Sequence, residues 1–149
     1  MPERSVGESF RDAKRAKKQV VEVEGGQKQC AALAAASTPE TTAAMTRFLS
    51  SVRQNQMEKR VAELVDAYRS GDGQALIRVV NQEFGESAEG AGARRRVFDD
   101  RHPAMAEAID SYFKQADRHF VVIGVGHMFG SNNLIDALAK RGIRAKRVE

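Results

Sequence analysis

The sequence predicts a helix-rich α/β domain with a small, mostly parallel sheet. Three observations lead there. Apolar residues recur three or four apart over long stretches, the period of helices. Three short runs, near 19–24, 119–124 and 143–148, are β-branched or alternating, the mark of strands. The last two flank a glycine-rich turn and a helix, which makes a βαβ unit whose strands run parallel. With 149 residues, the chain reads as one domain over 1–149, and its 42% hydrophobic residues suffice for a core.

The elements follow in order. A polar helix over about 6–18 carries Phe10, Ala13 and Ala16 on one side. Gln19-Val-Val-Glu-Val-Glu24 alternates and reads as a strand, ended by Gly25-Gly26. The Ala-rich stretch 27–36 is a good helix former. Thr38-Pro39-Glu40 starts a helix: a capping hydroxyl, a proline suited to the first turn, and an acid at the positive end of the dipole. That helix is expected to run to Arg69, with Met45, Phe48, Leu49, Val52, Met57, Val61, Leu64, Val65 and Tyr68 as its apolar stripe. Gly71 stops it, and Asp72 caps a shorter helix bearing Leu76, Ile77, Val79 and Val80. The glycines of 85–92 suggest a flexible loop before a helix near 93–99. Pro103 biases His102 away from helix, so a break is expected at Arg101-His102 and His102 reads as exposed. The next helix carries Met105, Ile109, Tyr112 and Phe113. Residues 119–123 are apolar throughout their centre and read as a strand buried on both faces. After the turn 124–130, Asn132 or Asn133 caps a helix with Leu134, Ile135 and Leu138, and Gly142 ends it before the last strand.

Composition narrows the functional classes. Lys plus Arg number 24 against 20 Asp plus Glu, a mild net charge of +4. Basic clusters occur at Arg94-Arg95-Arg96 and at both ends, but acids are interleaved, so solvated faces are expected rather than a nucleic-acid surface. One cysteine, Cys30, cannot close an internal disulfide. No apolar run approaches the length of a membrane helix, and Met1 to Glu8 lacks an apolar signal core.

The best candidate for chemistry is Phe120-Val-Val-Ile-Gly-Val-Gly-His-Met-Phe-Gly130. His127 falls at the carboxyl end of the expected strand, where α/β sites gather. Gly124 and Gly126 let backbone approach a ligand, and the following helix N-terminus favours an anion. Glu24 ends the other strand and is expected at the same sheet edge. A His can bind metal through one nitrogen, and a Glu can bind metal or move a proton. Arg101 is a candidate guanidinium for a carboxylate or an oxyanion. A dinucleotide reading of Gly124-x-Gly126-x-x-x-Gly130 is disfavoured, because the third glycine is one residue late and only Glu149 could serve as the ribose acid.

The stretch Val121-Val-Ile-Gly-Val-Gly-His-Met-Phe-Gly-Ser-Asn-Asn-Leu-Ile-Asp-Ala-Leu-Ala-Lys-Arg-Gly-Ile resembles the C-terminal signature of the TraB/PrgY/GumN family, akin to the TIKI proteases. Lys18 to Glu24 with Gln29, Ala67-Tyr-Arg-Ser-Gly-Asp72 and Asp100-Arg-His-Pro-Ala-Met105 resemble further family segments in the family's order. His102 stands where the family usually has Asn. Nothing before Val20 resembles the family's first Gly-Thr-x-His, so the chain is similar to the C-terminal half of a member. The resemblance implies an α/β fold and part of a metal-dependent hydrolase or peptidase, incomplete as a catalyst alone. His127 would be a metal ligand, Glu24 a ligand or base, and Arg101 a catalytic guanidinium. Zinc, manganese or cobalt would be the ion, a peptide or small molecule the substrate, and a second copy or the missing half the partner. The other reading is a binding or assembly domain that keeps the fold without catalysis.

Overall fold

The computed structural model describes residues 6–35, 38–54, 56–85, 87–115 and 118–148. Expectations resting on Met1 and Glu149 lie outside these. The described residues form eight α-helices: α1 Val6–Arg15, α2 Gly26–Ala35, α3 Pro39–Arg53, α4 Met57–Arg69, α5 Gly73–Phe84, α6 Ala88–Val97, α7 His102–Phe113 and α8 Leu134–Ala139. Two single 3-10 turns, Asp99–Arg101 and Val125–His127, precede α7 and follow the segment 118–124.

The expected sheet is not formed. Among the described residues there is no strand, and no backbone hydrogen bond joins 19–24, 119–124 and 143–148 to one another. These segments are irregular, and their side chains give the reason. Val121 and Ile123 pack on the core while Phe120 is 86% exposed, so 119–123 alternates instead of being buried on both faces. Period-two patterning specifies an extended chain with one apolar face; it does not supply a partner ladder. Here helices take the partner's place. Met105, Ala106 and Ile109 of α7 and Leu134 and Leu138 of α8 form the buried cluster, and Val23, Val121, Ile123 and Ile143 pack against it.

Other differences have local causes. The helix expected over 38–69 breaks between α3 and α4, where the apolar stripe skips from Val52 to Met57, a gap of five that loses the 3.6-residue period. The expected loop 85–92 instead contains the start of α6. The Ser87 hydroxyl accepts from the Gly90 N–H at 3.1 Å, an N-cap. Gly90 is needed inside the helix, because a Cβ there would stand 2.2 Å from the Phe84 carbonyl oxygen. The Asp72 cap holds, accepting from Gln74 and Ala75 N–H groups at 2.9 and 3.2 Å.

Packing of α7 on α8 sets the position of the site, since α7 begins at His102 and α8 follows the 124–130 turn. Leu134→Ala, at 1% exposure, is therefore expected to cost about 3 kcal/mol. Phe120→Ala, on the outer face, should change stability by less than about 0.5 kcal/mol. Urea unfolding reads both; equal losses would restore a segment buried on two faces.

Candidate functional site

Two neighbouring residues at the start of α7 gather the site. Arg101 ends the 3-10 turn Asp99–Arg101, and His102 opens the helix with Pro103 in its first turn. The Arg101 Nε donates to Glu24 Oε1 at 2.7 Å and Oε2 at 3.0 Å, and Nη2 donates to Oε2. Nη1 donates to the Val97 carbonyl at 2.7 Å. The side chains of Arg101 and Glu24 are only 12% and 11% exposed. A buried carboxylate held on two nitrogens of a guanidinium is strongly oriented, and removing either partner would strand a buried charge.

His102 is 1% exposed, not at the surface as the proline argument suggests. Its backbone is helical, φ −58° and ψ −38°, despite the proline that follows. The Nδ1 donates to the Asn132 carbonyl oxygen at 2.6 Å, and Nε2 lies 2.9 Å from Nδ1 of His127. The two imidazoles meet edge to face with centroids 5.1 Å apart. Phe98 closes another side of His127, at 5.2 Å between ring centroids. Gly126 makes that approach possible, because a Cβ there would come within 3.0 Å of the Phe98 ring. The glycine's place is thus accounted for by an aromatic ring. At the α8 start, the Asn133 side chain accepts from Asp136 N–H at 2.9 Å, so one of the N–H groups expected to await an anion is already capped.

Burial pushes the His127 imidazole down from 6.5 to about 4. His102 and Arg101 push the same way, and Glu24 opposes them. Glu24 and Arg101 therefore act electrostatically on His127 although no sheet edge joins them. Among the described residues Nε2 of His127 has no hydrogen-bond partner, and His127 is half-buried. An apolar cleft lined by Leu64, Leu76, Val80, Phe98 and Phe129 opens beside Val125 and Gly126.

The donor set does not by itself complete a metal's first shell. Among the described residues, no three His, Cys, Asp or Glu side chains stand together to hold an ion. Glu24 is engaged by Arg101, and both ring nitrogens of His102 are used. His127 Nε2 remains as one open donor, against the three or so protein ligands a catalytic zinc takes.

A family model, described as the TraB/PrgY/gumN family, matches residues 6–147. The chain belongs to the TraB/PrgY/gumN family. Comparison with curated proteins and with solved structures returns no match. In this family member Arg101 binds Glu24, and the next residue, His102, meets His127, both through contacts at the start of α7. His102 is the residue that sequence reasoning passed over. Its signal was adjacency to Arg101 at the position of the family's Asn, outweighed by the proline that follows.

The low His127 value fixes a pH dependence. The unfolded imidazole gains its proton near 6.5 and the folded one near 4. Between these values the unfolded chain binds more protons, so His127 contributes stability that is present above about pH 6.5 and is lost as pH falls toward 4. Histidine-resolved NMR titration should place the His127 midpoint near 4; a midpoint at 6.5 would contradict its burial.

Proposed function

We propose that this chain forms one wall of a hydrolytic site for a peptide or small molecule and is incomplete as a catalyst on its own. The observation that carries the reading is a His127 whose Nε2 makes no hydrogen bond among the described residues, linked through His102 to the largely buried Arg101–Glu24 pair. A proton carrier works best with a pKa near the working pH, and about 4 is far below it. Neutral imidazole is instead the metal-binding form. The reading therefore gives His127 the role of one ligand to a divalent ion, zinc, manganese or cobalt, with the remaining ligands coming from outside the described residues. No catalytic step follows from the chain's own donors. Glu24 would become a ligand or base only when an anionic group takes its place on Arg101. The neighbouring apolar cleft suits a non-polar part of the substrate.

The reading includes a partner. Met45, Leu49, Val61, Leu64 and Tyr68 of the α3–α4 stripe are exposed, as are Phe120 and Val148. Apolar surface of that extent is normally covered by association, here with a second copy or with a complementary half. Among the described residues no helix is long and apolar enough to cross a membrane.

A binding or assembly domain without catalysis is the second reading. It is favoured by the Arg101–Glu24 pair, which occupies the carboxylate a hydrolase would need.

Isothermal titration of zinc into the chain should give weak binding that His127→Ala abolishes, and sedimentation of the same sample should give a dimer or larger. Tight zinc binding that survives His127→Ala would replace the assigned ligand. A monomer at every concentration would remove the partner. Zinc binding by neither protein would leave the binding-domain reading.

A further inference from the structure

We propose that His102 is a positioning residue that fixes the tautomer of His127, holding its proton on Nδ1 and leaving the lone pair on Nε2. The inference rests on the reading of His127 as the working residue for its consequence, while the hydrogen bonds that carry it stand apart from any reaction.

The chain of bonds begins at a group with no choice. The Asn132 carbonyl oxygen only accepts, so His102 Nδ1, 2.6 Å away, donates and carries a hydrogen. The His102 ring is 1% exposed, and its two bonding partners are a carbonyl and another imidazole, with no carboxylate among them. No carboxylate touches the ring to hold a second hydrogen on it. A neutral ring with its hydrogen on Nδ1 has a lone pair on Nε2. That atom lies 2.9 Å from His127 Nδ1, so His127 Nδ1 is the donor. Neutral His127 then has its lone pair on Nε2, the ring nitrogen that has no hydrogen-bond partner among the described residues.

Direction is thereby transmitted from a backbone carbonyl through two rings. The carbonyl belongs to Asn132, whose φ of +56° is a left-handed conformation that asparagine tolerates better than most residues. Asn133 helps fix the same turn by donating to the Gly130 carbonyl at 2.8 Å. His102 itself is anchored at the head of α7, whose Met105 and Ala106 sit in the core. Phe98 limits rotation of the His127 ring from the other side. Such an arrangement matches the general rule that the partner of one imidazole nitrogen decides what the other can do.

The consequence for the site is specific. With the hydrogen on Nδ1, Nε2 of His127 is an acceptor, able to meet a metal or a proton. With the opposite tautomer it would be a donor, and the same geometry would offer nothing to a cation.

Nitrogen-15 NMR of the histidine side chains in the intact chain at pH 7 reads the tautomer directly. The expected wild-type pattern is a pyridine-type Nε2 and a pyrrole-type Nδ1 for His127. His102→Leu removes the acceptor, and His127 should lose its Nδ1–H preference, with the Nε2 resonance moving toward the pyrrole-type region. His102→Asn keeps one donor for the Asn132 carbonyl and one acceptor for His127, and should retain the wild-type pattern. A wild-type His127 with its hydrogen on Nε2, or a folded His102→Leu variant with the hydrogen still on Nδ1, would overturn the proposal. If the leucine variant does not fold, the wild-type pattern and its retention or loss in the asparagine variant decide the matter. Because the readout needs no metal and no substrate, it stands even if hydrolysis is never observed.

Discussion

The ion pair between Glu24 and Arg101 joins segments 77 positions apart in the chain and takes over work that a β-ladder would otherwise do. Segment 18–24 is irregular, with a bend at Val23 and Glu24, and makes no ladder with its neighbours among the described residues. Three side-chain contacts locate it instead. Arg101 holds Glu24, the Tyr112 hydroxyl donates to the Glu22 carbonyl at 3.0 Å, and Val23 packs on the α7–α8 cluster. The first is the most demanding. A carboxylate and a guanidinium withdrawn from water must each be matched, because an unmatched buried charge costs several kcal/mol. The requirement restricts where α7 can begin and so where His102 can reach.

The same economy operates one residue later. His102 has two polar ring atoms in a buried place, and the 3-10 turn Val125–His127 and the turn that follows it supply one partner each. Polar satisfaction at the head of α7 therefore orders both the 18–24 segment and the His127 turn. Apolar packing beneath, chiefly Met105, Ile109, Leu134 and Leu138, brings the elements within reach. The polar contacts then choose the register. Among the described residues, Nε2 of His127 is the ring atom of the two imidazoles that this arrangement leaves without a hydrogen bond.

What was legible in the sequence was local. Asp72 and Asn133 cap helices where their spacing to the following N–H groups says they should, because a cap involves only three or four consecutive residues. Glu24, Arg101 and His127 were singled out by their order and their resemblance to a family pattern; the structure pairs Glu24 with Arg101 and sets His102 between that pair and His127 in the chain of contacts. What was not legible was pairwise. Val121 and Ile123 announce an extended chain with one buried face, yet no residue in 119–124 states whether a second extended chain will lie beside it. The Ser87 cap was hidden by glycines whose role at Gly90 is to let α6 pass close to Phe84. His102 was hidden by Pro103: the rule for residues before proline concerns backbone preference, and its burial depends on Asn132 and His127 25 or more positions away.

If the Glu24–Arg101 contact holds segment 18–24 in place, the two residues must be energetically linked. A double-mutant cycle with Glu24→Gln, Arg101→Gln and the double variant, measured by urea unfolding at pH 7, tests this directly. Each single change should destabilise by about 2–4 kcal/mol, and the double variant should be less destabilised than the sum by about 1–3 kcal/mol. Additive losses, agreeing within about 0.5 kcal/mol, would mean that the two residues do not depend on each other and that something else places segment 18–24 beside the site.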